Sequence, residues 1–207
     1  MTWIKICGIT NEEDALQAAS LKVDAVGFIF APSPRRVDPS IVEQIVRQLS
    51  TPLLKVGVFV NQDLSEVEEI AKRCNLNVLQ FHGEEPLGYC QHFSLPVMKA
   101  IRIKGPESLR NIDLYANVPI LLDTYHPTKA GGTGNPFPWE IAIKAKENRN
   151  FILSGGLTPE NVREAIKKVG PLGVDVNSGV EREPGKKDFS KMVKFVKEVK
   201  KADEKTG

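Results

Sequence analysis

A cysteine and an aspartate, each at the end of a short apolar run, carry the first chemical suggestion in this chain. Cys7 closes the run Trp3-Ile4-Lys5-Ile6-Cys7 and is followed by Gly8. Side chains of a strand alternate between its faces, so Lys5 and Cys7 share one face and Ile4 and Ile6 the other. An ammonium near a thiol lowers the thiol's pKa and favours the reactive thiolate. Asp123 closes a second run, Val118-Pro119-Ile120-Leu121-Leu122. There it either caps the loop that follows or sits half buried in a cavity mouth. In the second case it holds its proton to higher pH and can act as a general acid near neutrality.

The elements that must position these groups repeat. Short β-rich runs alternate with amphipathic helical stretches, beginning with strands at Trp3–Cys7 and Asp24–Phe30 and ending with Asn150–Ser154 and Leu172–Val176. Helix-start signals lie between them. Thr10 with Glu13 reads as a capping box, and Ala15, Leu16, Ala18 and Ala19 give that helix its apolar, inward side. Asp38-Pro39, Thr158-Pro159 and Asp188 read as further caps. Eight such units imply a parallel sheet closed as a (β/α)8 TIM barrel, a single domain over 1–207 with a charged tail fraying from about 201. An open doubly wound sheet is the rival. Its glycine fingerprint is absent from the first strand-to-helix turn, which reads Cys7-Gly8-Ile9-Thr10.

In such a barrel the active site lies at the C-terminal ends of the strands. The polar residues expected there are Cys7, His82, Asp123, Ser154, Asp175 and Asn177, with Arg35 and Arg36 on the second loop. Strand eight closes against strand one, so Asp175 is expected to pair with Lys5 beneath the thiol, because a buried lysine needs a counter-charge. Loops seven and eight, Ser154-Gly155-Gly156-Leu157-Thr158-Pro159 and Asn177-Ser178-Gly179-Val180-Glu181, carry glycines where backbone N–H groups could hold a phosphate. Arg36 suits bidentate binding of a carboxylate, or is a surface residue. His82 either binds substrate or closes its strand.

The totals exclude several classes. The chain has 207 residues, 41% of them hydrophobic, and a net charge of +2, which does not call for nucleic acid. Basic residues from Lys186 to Lys205, at helical spacing alongside Phe189, Met192, Val193 and Val196, read as a solvated helix face. Three cysteines without a CxxC pair give neither a disulfide framework nor a zinc site, and His82, His92 and His126 lack metal-ligand spacing. No signal peptide or membrane-length apolar run is seen. A cytoplasmic protein, monomer or homodimer, with no metal is expected.

The motifs together are specific. Lys5-Ile6-Cys7-Gly8-Ile9-Thr10, Gln80-Phe81-His82-Gly83, Leu121-Leu122-Asp123-Thr124, Gly131-Gly132-Thr133-Gly134, Leu153-Ser154-Gly155-Gly156-Leu157 and Asp175-Val176-Asn177-Ser178-Gly179 span the chain. In order and at matching strand ends, they resemble the phosphoribosylanthranilate isomerase family of tryptophan biosynthesis. The resemblance implies a cofactor-free Amadori rearrangement of a phosphorylated small molecule. Cys7 falls where the family has its general base and Asp123 where it has its general acid. Arg36 falls on its anthranilate-carboxylate site, and Gly155, Gly156, Ser178 and Gly179 on its phosphate loops. Phe137-Pro138-Trp139 departs from the family pattern, where an acidic residue is expected before the tryptophan. The alternatives are a histidine-pathway sugar-phosphate isomerase, whose first strand would end in aspartate, and a barrel that only binds a phosphorylated ligand.

Overall fold

The computed structural model describes residues 1–49, 52–124 and 138–204. The cluster at 131–134, His126 and Phe137 lie outside them. Eight strands run in order around a closed barrel: β1 Trp3–Cys7, β2 Ala25–Ile29, β3 Leu54–Phe59, β4 Val78–Phe81, β5 Val97–Ile103, β6 Ile120–Thr124, β7 Ile152–Leu153 and β8 Gly173–Val176. Neighbours are parallel all the way round, and β1 completes the circle against β8 with Lys5 opposite Asp175. This is the expected (β/α)8 fold. The helices are α1 Glu12–Ser20, α2 Pro39–Gln48, α3 Leu64–Arg73, α4 Leu87–Gln91, α5 Arg110–Asp113, α6 Trp139–Asn148, α7 Val162–Val169 and α8 Phe189–Asp203.

Alternation along the strands sorts the interior into two kinds of surface. Ile4, Ile6, Val26, Phe28, Leu79, Phe81, Leu122 and Val174 face outward and join Ala15, Val67, Val162 and Phe195 of the helices in one apolar shell. Full burial of such a side chain contributes roughly 1.5–3 kcal/mol, so this shell holds the barrel closed. The inward faces begin with an apolar layer of Met98, Ala100, Leu121 and Ile152, flanked by Trp3 and Val78. Two residues further along the same faces come Lys5, Gln80, Asp123, Ser154 and Asp175, all buried.

Local capping departs from the sequence pattern in places. Asn11, not Thr10, caps α1: its Oδ1 accepts from Asp14 N at 2.9 Å. Both residues carry a capping oxygen, but the Thr10 hydroxyl donates instead to Gly185 O at 2.5 Å. Leu16 lies on the solvent side of α1, 42% exposed, rather than in the core. The last helix begins at an Asp188 cap as expected. Helix α8 runs to Asp203, whose carboxylate accepts from Thr2 N and Oγ1 at 2.9 and 2.7 Å. A small hairpin, β9 Glu181–Glu183 with β10 Lys186–Lys187, follows β8 and was not foreseen.

Candidate active site

Lys5 and Cys7 point into the barrel from β1. Gly27 of β2 stands in register with Cys7. A methyl group there would come within 2.6 Å of Cys7 Sγ and 3.0 Å of Lys5 Cε, so the thiol and the lysine occupy the space a side chain would need. Lys5 is wholly buried, and its Nζ donates to Asp175 Oδ1 at 2.9 Å and to Gln80 Oε1 at 2.8 Å. The second Asp175 oxygen accepts from Ser154 Oγ at 3.1 Å. The pair expected beneath the thiol is therefore formed.

Electrostatics around the thiol run against the expected thiolate. Burial pushes the Cys7 pKa up; the ammoniums of Lys5 and Lys187 pull it down, Asp175 opposes them, and the net shift is upward. The group at rest in the free protein is a thiol with cations beside it, because the buried anion loses more hydration than the two ammoniums return against Asp175. Burial would lower the Lys5 pKa, but Asp175 and then Cys7 outweigh it and leave it raised.

The other side of the thiol is built from loops. Lys187, on β10, reaches Asn177 O and Oδ1 at 3.2 and 3.0 Å and Glu181 Oε1 at 3.0 Å. Glu181 also grips Arg35, whose Nε lies 2.9 and 3.0 Å and Nη2 2.8 Å from its oxygens. Burial pushes the Glu181 carboxyl up, but Arg35 and Lys187 hold it below its usual range. Burial drives Lys187 down despite Glu181.

Asp123 ends up deeper than a rim or half-buried position, with 3% of its surface exposed. Its Oδ2 meets His82 Nε2 at 3.1 Å, and its Oδ1 accepts from Thr124 N at 2.8 Å. His82 Nδ1 faces Gln80 Nε2 at 3.2 Å. Cys7, His82, Asp123 and Asp175 thus line one cleft at the C-terminal ends of the strands, with Arg35, Ser154 and Asn177.

The remaining expected residues sit around it. Arg36 is exposed and does not line the cleft; Arg35 takes that wall. Gly155 and Gly156 adopt φ of +83° and +67°, a turn that side chains disfavour. A methyl on Gly155 would also lie 2.6 Å from Thr124 N and 2.9 Å from Asp123 Oδ1, so the loop after β7 rests on the end of β6. A methyl on Gly179 would lie 1.9 Å from Leu157 O, so the loops after β7 and β8 touch. Gly155, Gly156, Ser178 and Gly179 are half-buried beside the cleft rather than lining it. Among the described residues no group of three or more His, Cys, Asp or Glu side chains could hold a metal.

The sequence pattern assigns no site role to Gln80, Gly27, Glu181 or Lys187. Gln80 was open to detection, because it lies two residues before His82 and shares its face. Lys187 belongs to the basic run from Lys186 that reads as a solvated helix face; it is instead buried, on a hairpin that no short-range pattern marked.

The family model described as N-(5'phosphoribosyl)anthranilate (PRA) isomerase matches residues 4–198. This chain belongs to that family. A curated N-(5'-phosphoribosyl)anthranilate isomerase of Geobacter sp. (strain M21) is 47% identical over 202 residues, covering 97% of this chain and 99% of the relative. One from Moorella thermoacetica is 44% identical, covering 99% and 92%. The crystal structure of phosphoribosyl anthranilate isomerase from Thermotoga maritima superposes with a TM-score of 0.92 at 41% identity, covering 97% of this chain and all of that one. A family structure in complex with reduced 1-(o-carboxyphenylamino)-1-deoxyribulose 5-phosphate gives 0.88 at 40% identity, with coverages of 97% and 100%.

Proposed function

We propose that this chain catalyses the Amadori rearrangement of N-(5′-phosphoribosyl)anthranilate to 1-(2-carboxyphenylamino)-1-deoxyribulose 5-phosphate, a step of tryptophan biosynthesis. Family membership supplies the reaction. The observation that carries the assignment of roles is that Cys7 of β1 and Asp123 of β6 line one cleft. Asp123 gives its proton to the ring oxygen, the furanose C1′–O bond opens, and an iminium forms. Cys7 takes the proton from C2′, giving an enolamine that tautomerises to the ketone. Atoms and electrons balance within the substrate, so the reaction requires no cofactor.

Burial raises the thiol's pKa, so the base form must be supplied in the complex. The iminium helps in two ways: its positive charge acidifies the C2′ hydrogen and favours a thiolate beside it. Lys5 holds the adjacent cationic position, and Asp175 and His82 face the sugar hydroxyls. Arg35 is engaged with Glu181, which leaves the exposed Arg36 to take the anthranilate carboxylate. The turn at Gly155 and Gly156, with Ser178 and Gly179 packed against it, takes the phosphate through backbone N–H groups.

The chain acts as a monomer or a homodimer. A Thermotoga maritima relative, 40% identical over 97% of this chain and 100% of its own with a TM-score of 0.88, is described as dimeric and yields monomers. Among the described residues no helix is long and apolar enough to cross a membrane, in keeping with a cytoplasmic biosynthetic enzyme.

The test is loss of the fluorescent substrate, generated in place from anthranilate and phosphoribosyl pyrophosphate. Cys7→Ser and Asp123→Asn should each lower kcat by about 10²–10⁴-fold. A full rate in Cys7→Ser would remove the thiol from the mechanism, and no turnover by the intact protein would leave a binding-only barrel.

A further inference from the structure

A continuous line of buried polar groups runs inside the barrel from Lys5, beside the thiol, to Asp123. Its order can be deduced from which atoms are able to donate. Lys5 Nζ lies 2.8 Å from one end of the Gln80 amide. An ammonium has three donors and no acceptor, so the amide atom facing it is Oε1. The amide nitrogen therefore points the other way, to His82 Nδ1 at 3.2 Å. An amide NH2 only donates, so His82 Nδ1 meets it with a lone pair. The proton of the uncharged ring is then on Nε2, the atom 3.1 Å from Asp123 Oδ2. Lys5, Gln80, His82 and Asp123 are all buried, so water competes little for these bonds.

We propose that Gln80 is a positioning residue that sets the His82 tautomer, so that the ring presents an N–H to Asp123. The inference rests on Asp123 as the proton donor of the proposed reaction. When Asp123 gives up its proton it becomes a carboxylate, and the Nε2–H bond strengthens as that charge appears. The opposite tautomer would set a ring lone pair against the carboxylate oxygen and oppose the same step. Lys5 thus has a second effect besides its pairing with Asp175. By fixing which way the Gln80 amide faces, it sets the donor that stands at the far side of the cleft. The order is enforced by atom types alone: lysine can only donate, the amide has one acceptor and one donor end, and the ring has one proton to place.

The test combines two readouts on the whole protein. Long-range ¹H–¹⁵N correlation spectra of the histidine rings, with His82 assigned by His82→Asn, report the tautomer directly. The unaltered protein should show His82 protonated at Nε2 and unprotonated at Nδ1. Gln80→Glu keeps the length but replaces the donor with an acceptor, and should move a proton onto Nδ1. Gln80→Met removes the donor without adding an acceptor and covers failure of the first variant to fold. In each, kcat should fall about tenfold to a hundredfold, with KM changed much less. A wild-type spectrum with Nδ1 protonated overturns the proposal. So does a folded Gln80→Glu whose kcat stays within twofold of the parent. The spectra do not depend on the assignment of the acid. If Asp123→Asn keeps the parent rate while the wild-type His82 is protonated at Nε2, it is the proton-donor role that has failed.

Discussion

Lys5 and Lys99 are both buried, and each holds a carboxylate, Asp175 at 2.9 Å and Glu85 at 3.0 Å. They stand on opposite faces of the sheet. Lys99 lies between Met98 and Ala100, which face the barrel interior, so it projects toward the helices. Its Nζ donates to Gly83 O at 2.7 Å and Glu85 Oε2 at 3.0 Å, and Glu85 in turn accepts from Gly83 N and Asn61 N. The other partners of Lys99 are Phe81 O at 3.4 Å, at the end of β4, and the Tyr115 ring, so the cluster pins the loops after β3 and β4 and none of its members lines the cleft. Lys5 faces inward and touches groups that also face the cleft. Burial and pairing alone do not mark a catalytic neighbourhood; the face of the strand and the identity of the third partner do.

Breaking the two pairs in the same way sharpens the contrast. Lys5→Met and Lys99→Met each strand a buried carboxylate, and each should cost about 3–5 kcal/mol in urea unfolding. The rate per folded molecule should fall at least tenfold in Lys5→Met and stay within twofold of the parent in Lys99→Met. Equal rate losses would mean that both pairs act only through the fold. A smaller effect is expected at Gly27→Ala, where the added methyl must displace the Cys7 sulfur. Overpacking of this kind costs about 1–3 kcal/mol, and kcat should fall more than in any alanine placed on the helix-facing side. Unaltered kinetics there would show that the thiol's position is not critical.

The smallest effect concerns pH. Because the folded Cys7 pKa is raised, alkylation of Cys7, followed by mass spectrometry, should have its midpoint above the ordinary 9.0. The sign for stability follows. The folded protein keeps the thiol proton longer than the unfolded chain, so this group's contribution is full below pH 9 and declines as pH rises through the folded value. Cys74, raised to about 11 by burial, acts in the same direction. A midpoint below 9.0 for Cys7 would mean that Lys5 prevails over burial.

The strand order and the facing of Lys5 toward Asp175 were legible because they follow from alternation and closure, both properties of short runs. The cap of α1 was misplaced because Thr10 and Asn11 can both cap; Asn11 is the better capping residue, and the Thr10 hydroxyl is engaged by Gly185, far along the chain. Leu16 was assigned inward because helical spacing gives the width of an apolar stripe more loosely than its centre. The thiolate expectation missed because sequence reveals a neighbouring charge but not the hydration lost on burial. Arg35 and Arg36 could not be told apart by type, since adjacent residues share every compositional argument and differ only in what stands opposite them. The hairpin holding Lys187 was invisible because its worth lies in contacts to residues of other loops.

The closure of β1 against β8 has a consequence in time. Lys5 and Asp175 are 170 residues apart in sequence. At roughly 5–20 residues per second, the ribosome completes that interval in on the order of ten to thirty seconds. During that time the first strand is made, yet the acid that neutralises its lysine does not exist. Lys187, which closes over the thiol, is later still. The nascent chain therefore carries Cys7 as an ordinary, accessible thiol while most of the barrel is being synthesised. Its shelter and its altered acidity arrive together with the final strand.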